Sequence, residues 1–471
     1  MSENNLITVT IDGVQVQVTP DDTILTAANL AGIKIPTLCY LKGLNPEGSC
    51  RMCLVEVEGN AKGLVTACTQ PCTDGMVVHT KSEKVIEARR FVLDLLLSNH
   101  EGNCFSCAKN GGCKLQDYCF EYGVEKTSFE TPVQPDRPEP DYSNKFLAYD
   151  PKKCILCRRC QRTCAKIQGK GILSVSNRGF NAAITTSFEM PWENTDCEHC
   201  GNCAAACPTG ALVTKDNLNN YRPYNIKKVR TTCPHCATGC QMDLIVRDNK
   251  IVGCEPADGE SNHNTLCVKG RFGSFKFVHS GDRITDPLIK DKETGKFRKT
   301  SWDEALDLVA SKFMQIKKEY GPDSLAGFAC SRSPNEDIYM VQKMVRTCFG
   351  TNNTDNCARV CHSASVSGLA MTLGSGAMTN PIYDITHDVD AILLVGSNPE
   401  EAHPVVGAQI RQAVQNGTQL IVVDPRDIGL AKSAAVHLKL RPGTNVAFAN
   451  GMMNVFINEG LIDEAFIKTR T

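Results

Sequence analysis

Over residues 6–18 apolar and polar side chains alternate on either side of Asp12-Gly13, which predicts two short strands joined by a tight hairpin. The period then changes. A short helix is expected next, opened near Asp21 or Asp22 and closed before Gly32. Over 82–99, Val85, Ile86, Ala88, Phe91, Val92, Leu95 and Leu96 recur at helical spacing and predict an amphipathic helix. Residues 131–141 are proline-rich and read as an extended connector between domains. Beyond Asp323, apolar strands alternate with helices. Ser324 to Cys330, Val389 to Val395, Gln419 to Val423 and Ala435 to Leu440 each end in a polar loop. That order predicts a largely parallel sheet, whose ligands sit at the carboxyl ends of its strands. Four such loops in series point to an extended, nucleotide-like ligand, with Arg332, Gly396, Ser397, Asn398, Asp424, Arg426, Gly443 and Asn445 as candidate contacts.

Composition changes this picture in one respect. The chain holds 51 basic and 52 acidic residues, which gives no electrostatic case for binding nucleic acid or an anionic membrane. Its longest apolar runs, such as Ala391 to Val395, are far too short to span a bilayer, and Met1 to Asn5 carry no export signal, so a cytoplasmic protein is expected. In that compartment 26 cysteines do not form a disulfide framework; they are read as metal ligands.

The cysteines fall into spaced sets. Cys39, Cys50, Cys53 and Cys68 form a compact pair with two flanking residues, suited to zinc or to a 2Fe–2S cluster. Cys72 lies nearby and is read as a structural thiol. The helix over 82–99 delivers His100, followed by Cys104, Cys107 and Cys113, a set that fits a structural zinc as well as a cluster. The most specific pattern is Cys154, Cys157, Cys160 and Cys164 followed by Cys197, Cys200, Cys203 and Cys207 before Pro208. Three cysteines at three-residue steps address three irons of one cubane, and the fourth crosses to the other cluster. The expected sets are therefore Cys154, Cys157, Cys160 with Cys207, and Cys197, Cys200, Cys203 with Cys164. Arg158, Arg159 and Arg162 crowd the first run; a solvated basic face is the preferred reading over tuning of the cluster. A last set, Cys233, Cys236, Cys240 and Cys267, fits a zinc ribbon or a further cluster, with Lys269 close behind it. Cys119 and Cys254 fit no pattern.

These sets resemble known families in succession. The loop Glu47-Gly48-Ser49-Cys50-Arg51-Met52-Cys53 resembles that of 2Fe–2S ferredoxin domains, which implies a β-grasp fold over 1–80. His100 with its three cysteines, over 81–130, resembles the His-ligated 4Fe–4S element of respiratory complex I, iron-only hydrogenases and many formate dehydrogenases. A linker over 131–147 then leads to a two-cluster 4Fe–4S ferredoxin over 148–220. The Cys233 set with Cys267-Val268-Lys269-Gly270, over 226–285, resembles the 4Fe–4S domain of molybdopterin oxidoreductases, in which the lysine lies between cluster and pterin. Residues 286–471 then read as an incomplete molybdopterin-binding α/β domain. The whole is expected to be a multidomain protein of α+β and α/β parts.

Asn356-Cys357-Ala358-Arg359-Val360-Cys361-His362-Ser363-Ala364-Ser365 is similar to the active-site segment of cytoplasmic molybdenum- or tungsten-dependent formate dehydrogenases. The resemblance implies Cys361 as the metal ligand, His362 as its catalytic neighbour and a bis(molybdopterin guanine dinucleotide) cofactor. The tails of that cofactor would be held by Gly396-Ser397-Asn398, Asp424-Pro425-Arg426 and Gly443-Thr444-Asn445. It implies one 2Fe–2S and four 4Fe–4S clusters, formate and carbon dioxide as the reacting pair, and a flavin/NAD-binding subunit, a ferredoxin or a hydrogenase as electron partner. The family continues well beyond Thr471, so the expectation is a fragment, a second polypeptide completing the fold, or a last region that no longer binds the full cofactor. The rival reading is a complex I-like electron-transfer subunit without molybdenum or tungsten.

Overall fold

A computed structural model describes residues 6–61, 63–130, 137–218, 220–387 and 389–471. It divides into two compact units: the chain up to Lys276 together with Ile382–Lys439, and Phe277–Pro381 together with Leu440–Thr471. The linker expected at 131–147 falls in part on 131–136, outside the described residues.

In the first unit the alternating start of the chain is the antiparallel hairpin Ile7–Ile11 and Val14–Val18, turned by Asp12 and Gly13 at φ 45° and 86°. Val77–His79 adds alongside the first strand in parallel, and Leu54–Val57 and Val65–Thr66 extend the sheet to five strands. The helix Ile24–Leu30 lies against it, and Val9, Ile11, Ile24, Ala27, Val55 and Val78 form the core of this β-grasp fold. The helix is capped by Thr23, whose hydroxyl accepts from Thr26 N at 3.3 Å; Asp22 instead closes the preceding turn through Thr19 N at 2.9 Å.

The helix expected over 82–99 is Glu83–Leu97, with Ser82 as its cap. Its buried residues are Val85, Arg89 and Leu93, with Ile86, Val92 and Leu96 packed beside them; of the apolar positions expected on this face, Phe91 and Leu95 are exposed. Phe91 is 60% exposed and meets Phe129 edge-on at 6.0 Å. The helix Lys114–Tyr122 closes this layer, and Tyr118 and Tyr122 pack with Leu38 and Met52 from the β-grasp domain.

The double cysteine run sits on two short antiparallel pairs, Leu147–Tyr149 with Leu212–Thr214 and Leu173–Ser176 with Ala183–Thr186. A three-stranded meander, Lys227–Thr232, Gln241–Arg247 and Lys250–Pro256, carries the next set. The unit is completed by Ala391–Val395, Gln419–Val423 and Val436–Leu438, three parallel strands, with the helix Pro404–Gln415 packed on them. That helix buries Val405, Gly407, Ala408, Gln409, Ile410, Arg411 and Ala413, far more than a single stripe. Gly169 makes this docking possible: it sits at φ 68°, and a Cβ there would meet Arg411 Cβ at 2.8 Å.

The parallel strands beyond Asp323 fall into two sheets rather than one. In the second unit Gly327–Ala329 pairs in parallel with Thr354–Asn356, a strand that its polar residues hide from the hydrophobic pattern. The helices Trp302–Tyr320, Asn335–Met344, Ala358–Cys361, Ser363–Leu373, Asn445–Asn458 and Glu464–Arg470 belong to this unit. Among the described residues no helix is long and apolar enough to cross a membrane.

Candidate functional site

The β-grasp loop gathers its four cysteines as two pairs. Cys53 and Cys68 bring their sulfurs to 3.4 Å, and Cys39 and Cys50 are hydrogen-bonded through theirs. Within each pair the shared proton pulls one thiol down and pushes the other up: Cys39 and Cys68 are lowered, Cys50 and Cys53 raised. Two pairs fit the two irons of a 2Fe–2S cluster, which take two thiolates each. Cys72 stays apart, buried, its thiol pushed to about 11 by burial and then by Asp22.

His100, Cys104, Cys107 and Cys113 line one cavity, together with Lys153 and Gly210. His100 Nδ1 is buried with no hydrogen-bond partner. Burial first, then Arg137 and Lys153, hold the ring neutral by lowering it to about 4. A neutral imidazole with an orphaned nitrogen is what an iron ligand requires. Gly210 marks a close approach, because a Cβ there would overlap Cys107 Sγ. Sequence reasoning missed it; the available signal was a glycine following Cys207-Pro208-Thr209. Thr209 Oγ1 donates to Lys153 O at 2.9 Å and Lys114 N to Pro208 O at 2.9 Å, which fasten this set to the double-cluster region.

The structure brings the cysteines of the double run into two neighbourhoods. Cys164, Cys197, Cys200 and Cys203 line a single cavity. Cys207 acts electrostatically on Cys154, Cys157 and Cys160. Burial pushes up the thiols of Cys154, to about 11, and of Cys157 and Cys200, to about 12. Bare, they are protonated, so cluster loading expels protons and is favoured by alkaline conditions.

The reading of Arg158, Arg159 and Arg162 as a solvated face fails for Arg162. It is buried, donates to Cys39 O at 3.5 Å and to Asn45 O, and faces Glu47 Oε1 at 3.6 Å. It joins the first cysteine loop to the double run. A second joint is an ionic cluster over the cavity of the crossed set: Lys170 Nζ lies 3.1 Å from Glu198, and Arg411 Nη1 lies 3.1 Å from Glu198 and pairs with Glu400.

Cys233, Cys236, Cys240 and Cys267 line one cavity with Lys269, His235 and Val405. Cys240 is pushed to about 12 by burial and then by Cys233. Gly270 leaves room beside Cys233 Sγ, at 3.5 Å from a Cβ position. Cys254, which fits no spacing, is buried with its sulfur 3.5 Å from Met242 Sδ.

Two candidate pterin loops stand side by side at the carboxyl ends of parallel strands. Gly396, at φ 58°, follows Val395 and donates to Val423 O at 2.8 Å; Asp424 N donates to Leu438 O at 3.1 Å. Ser397 lies between Gly396 and Asn398, whose Oδ1 is buried without a partner. Asp424 and Arg426 are spent on each other: Nε meets Oδ1 at 3.0 Å and Nη2 meets Oδ2 at 2.8 Å. That fork holds the Asp424 carboxyl down at about 2. The other candidates lie in the second unit. Arg332 occupies the loop before Asn335–Met344, Gly443 a turn at φ 88°, and Asn445 the start of Asn445–Asn458.

Cys361 ends the helix Ala358–Cys361 and His362 starts the next, both exposed. They follow Thr354–Asn356, again at the carboxyl end of a parallel strand. Between them and the strand stands Cys357, to which sequence reasoning gave no role. Its sulfur lies 3.0 Å from Ser331 Oγ and 3.4 Å from Ser331 N, and the hydroxyl and then the N–H lower its thiol.

Five family descriptions match the chain in order. They are a 2Fe-2S iron-sulfur cluster binding domain over 4–83, the NADH-ubiquinone oxidoreductase-G iron-sulfur binding region over 89–128 and the NADH-quinone oxidoreductase subunit 3 ferredoxin-like domain over 145–213. The molybdopterin oxidoreductase Fe4S4 domain follows over 226–279 and the molybdopterin oxidoreductase domain over 283–468. The chain thus carries, in this order, the domains of an iron–sulfur molybdopterin oxidoreductase. Among curated relatives it is 37% identical over 463 residues to NADPH-Fe(3+) oxidoreductase subunit alpha of Geobacter sulfurreducens, a match of 98% of this chain and 53% of that one. The NADH-quinone oxidoreductase G 2 subunit of Rhizobium meliloti is 35% identical over 470 residues, with 98% and 53% covered. A Staphylococcus haemolyticus protein provisionally called a formate dehydrogenase is 30% identical over 500 residues, with 98% and 50% covered. The chain spans about half the length of these relatives.

Proposed function

We propose that this chain is the cluster-bearing and pterin-binding part of a formate dehydrogenase. It would serve the reversible conversion of formate to carbon dioxide, one proton and two electrons. The observation that carries this reading is the cavity shared by Lys269 and the Cys233 set, in a chain that also places Cys361-His362 after a parallel strand. A relay needs no lysine beside its last cluster and no exposed thiol beside a histidine; a pterin-coupled metal centre has a use for both. A molybdenum or tungsten bis(molybdopterin guanine dinucleotide) centre, when bound, supplies the two-electron acceptor. The Cys361 thiolate is the soft donor for that metal. His362 takes up the proton as general base. The loops Gly396–Asn398 and Asp424–Arg426 would hold the cofactor's tails, the first through the buried, unpartnered Oδ1 of Asn398. The five ligand sets, Cys39, Cys50, Cys53 and Cys68 among them, carry electrons singly towards a flavin/NAD-binding subunit, a ferredoxin or a hydrogenase.

Metal analysis of anaerobically purified protein tests this. About 18 iron atoms per chain, stoichiometric molybdenum or tungsten, and dye reduction that requires formate are expected. Cys361→Ala abolishes that reduction with iron unchanged; an active variant removes Cys361 from the mechanism. A second reading, an electron-transfer subunit without the heavy metal, is favoured by the likeness to the NADH-quinone oxidoreductase protein of Rhizobium meliloti. Full iron with neither metal and no formate-dependent reduction decides for it.

A further inference from the structure

Buried cations of the first unit are balanced in two different ways. Arg162 and Arg411 each face carboxylates, Glu47 for one and Glu198 and Glu400 for the other. Arg271 faces none among the described residues. Its side chain is 2% exposed; Nε donates to Cys200 O at 2.8 Å and Nη2 to Asn202 Oδ1 at 3.1 Å. Glu255, the acidic residue that acts on it electrostatically, is already paired with Lys228 at 2.6 Å. A guanidinium keeps its proton even when enclosed, and a buried charge left unpaired costs more than two neutral acceptors return. After burial itself, the groups that act on it most strongly are the sulfurs of Cys200, Cys254 and Cys203. Two of these three are ligands of the crossed set, and a 4Fe–4S core on four thiolates is an anion that becomes more negative on reduction.

Position reinforces the charge argument. Arg271 N bonds to Cys267 O at 3.0 Å, so its backbone belongs to the Cys233 set while its guanidinium reaches the Cys200 set. Asn202 Oδ1 also accepts from Leu266 N at 3.0 Å, which fixes the fork between the two. Gly201 is part of the arrangement, because a Cβ there would collide with the Arg271 side chain. Two other buried arginines without a carboxylate among the described residues follow the same rule. Arg137 donates to Cys154 O at 3.0 Å, and Arg89 to Leu54 O, beside Cys53, at 2.8 Å.

We propose that Arg271 is the fixed counter-charge of the cluster on Cys164, Cys197, Cys200 and Cys203, raising its reduction potential so that electrons leaving the Cys233 cluster are drawn to it. One electron is added and removed in this step, no bond changes, and the guanidinium carries neither electron nor proton. Arg271 is therefore a positioning residue. The inference rests on the cluster assignments and not on formate as substrate.

The test is a redox titration followed by electron paramagnetic resonance, with iron quantified, on the iron-loaded protein and its Arg271→Met, Arg271→Gln and Arg271→Lys variants. The neutral variants should keep their iron. One 4Fe–4S potential should fall by at least a tenfold change in the oxidised-to-reduced ratio, about 59 mV for one electron. The 2Fe–2S potential should stay put, and lysine should restore most of the shift. Neutral variants with full iron and unmoved potentials overturn the proposal and leave Arg271 a joint between domains. Should both neutral variants lose that site's iron, lysine decides. Retention with Arg271→Lys upholds a role for charge, whereas loss with lysine as well means that the shape of the fork is what matters, and the proposal fails.

Discussion

Asp424 is a carboxylate that its own loop consumes. It is 1% exposed, and the Arg426 fork lowers it from an ordinary 3.8 to about 2. A depressed carboxyl stabilises the fold above its unfolded value, and that contribution is lost as pH falls from near 4 towards 2. Asp424→Asn should therefore flatten the acid limb of the stability profile over that window, read by chemical denaturation at stepped pH; an unchanged slope would mean the pair does not form. At this scale the sequence was most legible where chemistry dictates spacing. Cysteines at three-residue steps could be paired across two clusters because cubane geometry leaves little choice. Arg162 was misread because a charged side chain announces solvent, and only the fold shows Glu47 and the Cys39 carbonyl waiting for it. Cys357 and Arg271 have no local signature, since their partners Ser331 and Cys200 are distant in the chain.

Among the elements, the short segment after Cys207 shows how closely a cluster site is bounded by backbone. Gly210→Ala would displace Cys107 and should remove about four irons per chain, with the 2Fe–2S signal retained. Iron analysis with electron paramagnetic resonance checks this, and an unaltered iron count would show that the Cys107 side chain yields freely. Helices and strands with a strong period were legible: the hairpin around Asp12-Gly13 and the helix Glu83–Leu97 stand where alternation and helical spacing put them. Thr354–Asn356 was not legible, because a strand of Thr, Asp and Asn has no apolar alternation and is held only by its parallel neighbour. The single sheet anticipated beyond Asp323 divides for the same reason. Strand propensity identifies segments and does not say which of them pair.

At the level of the whole molecule the two units are unequally cored. In the second, Leu325, Val345 and Phe349 form the buried cluster, while the helices Trp302–Tyr320, Ser363–Leu373 and Asn445–Asn458 have no buried residue. Few buried contacts mean low local stability. Hydrogen exchange should find the amides of those helices at least ~10-fold faster than those of Pro404–Gln415 and Gln419–Val423. Equal protection would show that their outer faces are covered in the working protein.

The first unit is discontinuous, and that has a bearing on how the protein is made. Gln168 O accepts from Arg411 Nε at 3.0 Å, a bond between residues 243 positions apart, and the second unit's segment 277–381 is synthesised in the interval. The joint that Arg411 makes with Gln168 and Glu198 is therefore missing while the ribosome is still adding those residues. For that stretch of translation the Gln168 carbonyl and the Glu198 carboxylate stand without Arg411, so the order of the gene also sets a timetable for closing this joint.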